Sequence, residues 1–598
     1  MKYPLLIEEE SSRQMVDTFK GYNHNLRISD GEFFDMKNMT SDSTPVLSPR
    51  KKRGVYASPT SPTGIIAKDS LCYVDGTDFY INEYRIDDLG LIDTECDSCV
   101  RKGDCTSYKK GKTVCQKQLV SMGAYVIIMP DKKYINTENI GDRGNIEAEI
   151  TTNGTASFKM CKIDGSSYDK EYEPSPEAPG NPVNMAVWID TSSTPHTLKQ
   201  WSEENKMWVS IATTYVKISS PGIGMAFEKY DGIKISGLTG TDASSLDGNN
   251  VIWDKGDGYI VVMGIIDKAV TITSSVKITR KMPNMDFIIE SENRLWGCRY
   301  GTSVDGSIVN EIYASKQGDF KNWNCFMGIA TDSYAASVGT DGQFTGAIPH
   351  LGYPLFFKEG FVHKVYGNIP ANYQIQTTAC RGVQKGCDKS LAIVNETLFY
   401  KARSGIMAYD GSLPTDASYS LGNEVYSDAV GCAHGNKYYV SMKDNMGNYN
   451  LFVYDMAKCL WHKEDNLHVD SFCSCRGDMY AIDHDSKKII TMQGTDEGDV
   501  EWMVETGEIG ISSPDMKYIS RLTVRMMLEP GAEASFSVKY DWTDEWEHLF
   551  TQRGTSLRSF SIPIRPKRCD SLKLRIEGVG VCRIYSFTKT IEQGSELS

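Results

Sequence analysis

Over most of the chain, apolar and polar residues alternate in short runs that end at Gly, Asp, Asn or Pro. A period of two puts one set of side chains on one face of an extended strand, so the pattern predicts strands joined by tight turns. LCYVDGTDFYIN (71–82) is a hairpin in which Asp-Gly supplies the positive φ of the turn. KQLVSMGAYVIIMPDKKYIN (117–136) repeats the design with two strand-like runs.

From 276 to 500 the hairpins form a loose repeat: NRLWGCRYG (293–301), NEIYASKQGDFKNW (310–323), YPLFFKEGFVHKVYG (353–367), ETLFYKARSGIMAYDG (396–411), GNKYYVSMKDNMGNYNLFVYD (435–455) and GDMYAIDHDSKKIITM (477–492). Small antiparallel sheets that cannot each bury both faces are accommodated by radial packing into a propeller. SKQGDFKNW (315–323) resembles the Asp-box turn of propeller blades, with its Asp and Gly displaced.

Between 146 and 275 the rhythm changes. ASFKMCKI (156–163), the proline-rich EPSPEAPGNP (173–182) and MWVSIATTYVKIS (207–219) read as a separate β domain inserted into the propeller. Residues 501–598 contain RLTVRMMLEPG, ASFSVKYDW, RSFSIPI, LKLRIEG and CRIYSFT, the spacing of a β-sandwich. Residues 1–60 are irregular and proline-rich, and read as an extended arm. The expected fold is therefore all-β. The propeller spans 61–145 and 276–500 with a Cys-rich insertion at 94–117, and it is joined by an inserted β domain (146–275) and a C-terminal sandwich (501–598).

A chain of 598 residues accommodates about four such units. The formal charge of −14, from 64 basic and 78 acidic residues, argues against a protein that wraps nucleic acid over its whole surface. MKYPLLIEEESS is too short in its apolar part for a signal-peptide core, and no apolar run approaches the ~20 residues of a membrane helix. Neither secretion nor a stable membrane anchor is expected, and the sequons at Asn38, Asn153 and Asn395 then carry no meaning.

Of the sixteen cysteines, four lie close together: Cys96, Cys99, Cys105 and Cys115. The Cys-x2-Cys start suits a structural zinc site, and Arg101, Lys102, Lys109, Lys110 and Lys112 would favour thiolates. Because no second Cys-x2-Cys follows, disulfides, an iron–sulfur cluster or ordinary thiols remain alternatives. Arg50-Lys51-Lys52-Arg53 reads as a solvated or interface-facing run rather than a nucleic-acid contact. His462 and His468, near Cys459, Cys473 and Cys475, read as exposed imidazoles beside core thiols. There is no Walker loop, His-Glu-x-x-His, Gly-x-Ser-x-Gly or dinucleotide fingerprint. The expectation is that the chain is not an enzyme.

The segment FKGYNHNLRISDGEFFDMKNMTSDSTPVLSPRKKRG (19–54) resembles the opening of β-propeller tail proteins of tailed bacteriophages and prophages, the tail-nozzle or tail tubular protein B-like group. NRLWGCRYGTSVDGSIVNEIYASKQGDFKNWNCF (293–326), FTGAIPHLGYPLFFKEGFVHKVYG (344–367), CRGVQKGCDKSLAIVNETLFYKARSGIMAYDG (380–411) and RPKRCDSLKLRIEG (565–578) are similar to later blocks of those proteins. The cysteine-rich segment has no counterpart. The resemblance implies a virion structural protein of the tail or neck, made in the host cytoplasm. It implies a ring of copies, expected to be a hexamer, that contacts neck, portal-adaptor or tail proteins and through which DNA passes during ejection without sequence recognition. The alternative is a glycan-binding or sialidase-like propeller, including a receptor-binding tail tip. A sialidase would need an arginine cluster, for which Arg294, Arg299, Arg381 and Arg403 are the candidates.

Overall fold

The computed structural model describes residues 11–92, 116–303, 306–510, 516–541 and 543–593. Among them the regular elements are β-strands and four short 3-10 turns, so the all-β expectation holds. Seven four-stranded antiparallel units form the blades of a propeller among the described residues; six are separate sheets, and the sixth blade is one end of a twelve-stranded sheet that continues into the C-terminal domain. Their innermost strands are Pro62–Ala67, Gln118–Met122, Phe287–Ser291, Gly346–His350, Ala392–Val394, Ser427–His434 and Val469–Cys475. These first strands pack against one another around the axis, through the 3-10 turn Asp388–Ser390 between the fourth and fifth, the seventh returning to the first.

Turn chemistry explains the repeat. In blades 2 to 7 the first two strands are joined by two residues: Gly123-Ala124, Glu292-Asn293, Leu351-Gly352, Asn395-Glu396, Gly435-Asn436 and Arg476-Gly477. The leading residue of each pair has positive φ, between 45° and 57°. Such primed turns match the right-handed twist of the flanking strands and fix the hairpin register. The Asp-box-like segment does form a tight turn, with Gly318 at φ 75° and Trp323 buried, its indole donating to the Phe320 carbonyl at 2.9 Å.

Residues 11–57 are not an arm. Ser11–Val16 pairs with Cys582–Gln593, Glu32–Lys37 pairs with Glu501–Thr506, and Gly54–Ala57 is the outermost strand of blade 7. Local irregularity hid this, because the partners lie more than 400 residues away. Arg50 and Arg53 are buried, against the expectation of a solvated run. Arg50 grips Glu497 through two hydrogen bonds of 2.7 and 2.8 Å, and Arg53 binds Glu464 at 2.8 Å and Asp465 at 2.6 Å.

The inserted domain runs from Ala148–Thr151, paired with Lys277–Arg280, and closes over its own core, including Phe158, Ile218, Ile235 and Val262. The C-terminal domain is built on Lys517–Tyr540, where the sequence pattern suggests two strands. Its first half pairs with Cys582–Gln593 and its second with Leu572–Val579. Pro530-Gly531 reads as a strand boundary but lies in a register shift, where a bulge lets the strand bend without ending. This domain shares one core with blades 4 to 6, from Phe357 and Phe399 to Phe452, Phe536 and Phe587.

Candidate functional site

A cavity of about 300 Å³ opens on the propeller axis. Ile65, Gln118, Phe287, Ala347, Val430 and Ser471, from six innermost strands, form its wall. The polar lining, Gln116, Lys117, Asp286, Asp388, Lys389 and Asp428, comes from at or just before the starts of such strands, so the polar mouth lies on the face where those strands begin.

Local irregularities aim these groups. Asp428 has φ 51° and sits where the register slips between Ser427 and Val430. Asp470 sits in the corresponding slip between Val469 and Ser471 on the neighbouring blade. A bulge turns a side chain out of the alternation of its strand, and here two adjacent blades bring carboxylates to the rim. Asp428 accepts a hydrogen bond from the Tyr449 hydroxyl. Burial and that carboxylate both push the Tyr449 phenol up, so it remains a donor at any physiological pH. Asp286 accepts from the Tyr300 amide at 2.8 Å. Lys117 is drawn into a buried ion pair with Asp131 at 2.7 Å, whereas Lys389 donates to Gln116 at 3.2 Å and to the Asp470 carbonyl at 2.8 Å. With Lys117 neutralised, Asp286, Asp388 and Asp428 face Lys389, and the mouth is acidic.

Beside it lie His468, Asp470 and His484. His484 Nδ1 is 3.0 Å from each Asp470 carboxylate oxygen. The His468 ring stacks on Tyr449 with centroids 3.5 Å apart and on His484 at 3.9 Å.

Several expected site residues lie elsewhere. Cys96, Cys99, Cys105 and Cys115 fall outside the described residues. Cys473 and Cys475 are core thiols as expected, but His462 is buried rather than exposed, with burial pushing its pKa down to about 3. Arg294 is buried and donates to the carbonyls of Ser315, Ala330 and Asp332. Arg381 and Arg403 are exposed and ion-paired with Asp416 and Glu359. None of Arg294, Arg299, Arg381 or Arg403 lines the axial cavity, so no sialidase-type arginine cluster forms there. The axial aspartates carry no local motif, since each comes from a different blade.

No protein-family model and no curated protein matches the sequence. Among solved structures, the chain is similar to an exo-β-1,3-galactanase from Phanerochaete chrysosporium with galactose, at 8% identity and TM-score 0.18, over 50% of this chain and 95% of that one. It is similar to a glycoside hydrolase family 43 arabinoxylan arabinofuranohydrolase from Bacillus subtilis in complex with cellotetraose, at 8% identity and TM-score 0.20, over 52% and 95%. It is also similar to an acylaminoacyl peptidase of Pyrococcus horikoshii, at 10% identity and TM-score 0.19, over 52% and 55%. The propeller is read from the chain's own sheets and does not rest on these matches. The expectation of a chain that is not an enzyme rested on missing motifs and is set aside: the solved structures matched here are glycoside hydrolases and a peptidase, which is a fact about those proteins and assigns no activity to this one. The physical reason is that carboxylates gathered from separate blades leave no short motif, so motif absence does not exclude catalysis.

Proposed function

We propose that the chain is a glycan-binding propeller that takes a carbohydrate end group into its axial mouth. The observation that carries this reading is the cavity itself, with Asp286, Asp388 and Asp428 brought from three blades to one concave rim. Carboxylates there accept hydrogen bonds from vicinal hydroxyls, while Phe287 and Val430 offer apolar wall to the C–H face of a sugar ring. The test is a glycan array together with a panel of aryl glycosides. Binding should weaken more than about tenfold in Asp428→Asn and in Asp286→Asn, as expected when a buried polar contact is lost. A folded protein that binds no glycan, or variants that bind as well as the parent, would overturn the reading.

A second reading, a virion tail or neck protein, rests on the sequence resemblance and on one structural feature. Strand Glu547–Ile562 pairs only with Lys517–Tyr540 among the described strands, leaving a long sheet edge of the kind that adds a strand from another chain. A tail-tip protein that recognises a receptor glycan would satisfy both readings. A mass of several protomers in solution supports this one, and a strict monomer removes it. An axial cavity of about 300 Å³ is too small to pass duplex DNA. A DNA channel in such an assembly would run between copies.

A further inference from the structure

We infer that His468, Asp470 and His484 form a site for one divalent transition-metal ion, of the zinc class, at the rim of the axial cavity. One ligand atom from each residue lies within 4.8 Å of the other two. In a tetrahedral zinc site with bonds of about 2.0–2.1 Å, ligand atoms stand roughly 3.3 Å apart. His484 Nδ1 and the Asp470 oxygens are already at 3.0 Å, so only the His468 ring has to close.

The backbone builds this set. His468 and Asp470 are two apart at the start of Val469–Cys475, and the bulge there controls where Asp470 points. His484 follows Asp478–Asp483 on the adjacent strand, and its amide donates to the His468 carbonyl at 2.9 Å. Both imidazoles thus belong to the open end of one hairpin, whose geometry is set by the turn at Arg476-Gly477. Tyr449 buttresses the His468 ring and holds Asp428, so the surroundings orient the ligands as outer-sphere groups do in metal sites. Two nitrogens and a carboxylate suit zinc or a neighbouring first-row ion better than calcium or magnesium, which prefer all-oxygen sets. Three protein ligands leave a position open, and Ser471, next to Asp470, lines the cavity. Lys389, bonded to the Asp470 carbonyl, places a positive charge nearby and tempers the affinity. The inference does not depend on the carbohydrate reading.

The test uses the full chain carrying Cys96→Ser and Cys99→Ser, so that the cysteine group cannot supply the metal. After chelator treatment and dialysis, we expect one equivalent of zinc. Cobalt should give a visible spectrum without thiolate-to-metal charge transfer. His484→Ala should weaken zinc more than about tenfold, and the gentler His484→Gln and His468→Gln should do the same while leaving the unfolding temperature of the metal-free protein unchanged. His196→Ala, in the inserted domain, should have no effect. If the chain takes up no zinc, His484 and Asp470 are only a hydrogen-bonded pair and the inference fails. It fails equally if folded His468→Gln and His484→Gln variants bind as the parent does.

Discussion

His363 shows how much a single buried group can govern. Its ring is fully buried in blade 4, with Nε2 2.9 Å from the Thr340 hydroxyl and Nδ1 2.8 Å from that of Thr377. Burial, and then the Lys358 ammonium, push its pKa down to about 4. The unfolded chain binds the proton near pH 6.5 and the native chain does not, so the native state loses stability as pH falls from about 6.5 towards about 4. At its full extent that loss is about 3 kcal/mol. Burial of His462 shifts stability with pH in the same direction. Urea midpoints at pH 7 and pH 4.5 should therefore differ less for His363→Gln than for the parent, and equal differences would exclude this role. Residues of this kind were poorly legible in the sequence. Cys473 and Cys475 could be assigned to the core because alternation places them on one face. Burial of His462, Arg50 and Arg53 depends on partners supplied by distant strands. His484 was the missed member of its cluster, because regular register from the turn at Arg476-Gly477 does not put it opposite His468; the bulge between Val469 and Ser471 absorbs the extra residue and joins them.

At the scale of elements, the hairpins were legible because each is written locally, as alternation around a two-residue turn. What closes the ring was not legible. Gly54–Ala57 completes blade 7 by pairing with Ile489–Thr491, and Gly494 passes directly over it. A Cβ on Gly494 would stand 2.4 Å from the Gly54 Cα and amide nitrogen, both backbone atoms that cannot move aside cheaply. Gly494→Ala should lower stability by about 2 kcal/mol or more and expose the segment after Ala57 to proteases. Unchanged denaturation and protease resistance would show that the closure tolerates a shift. The axial aspartates belong to this scale too, since the two bulges that aim Asp428 and Asp470 are departures from the alternation that made the strands readable.

Across the whole molecule, cores rather than sequence order define the units. The C-terminal domain is fused to blades 4 to 6 through one apolar cluster and through a sheet that runs from blade 6 by way of Gly21–Tyr22 and Glu32–Lys37 into Glu501–Thr506. The inserted domain has its own core, and its first and last strands are neighbours in one sheet. Its ties to the propeller are few and polar, such as Asn322 to the Tyr230 carbonyl at 2.7 Å and the Gly232 amide to Asn322 at 2.9 Å. Residues 147–281 should therefore fold alone when expressed as a fragment. Replacing them with a short linker should leave the propeller and C-terminal domain unfolding in one cooperative transition. A fragment without dispersed amide resonances would refute that independence.

The way blade 7 is closed also has a consequence for synthesis. Residues 11–57 leave the ribosome before blades 1 to 6, whereas their partners between Leu460 and Gln593 follow those blades. The nascent chain must carry this segment unpaired while blades 1 to 6 are translated, and the ring can lock only after Ile489–Thr491 has been made. A pause or premature stop before Ile489–Thr491 thus leaves a propeller open on one side, a natural target for chaperones and quality-control proteases.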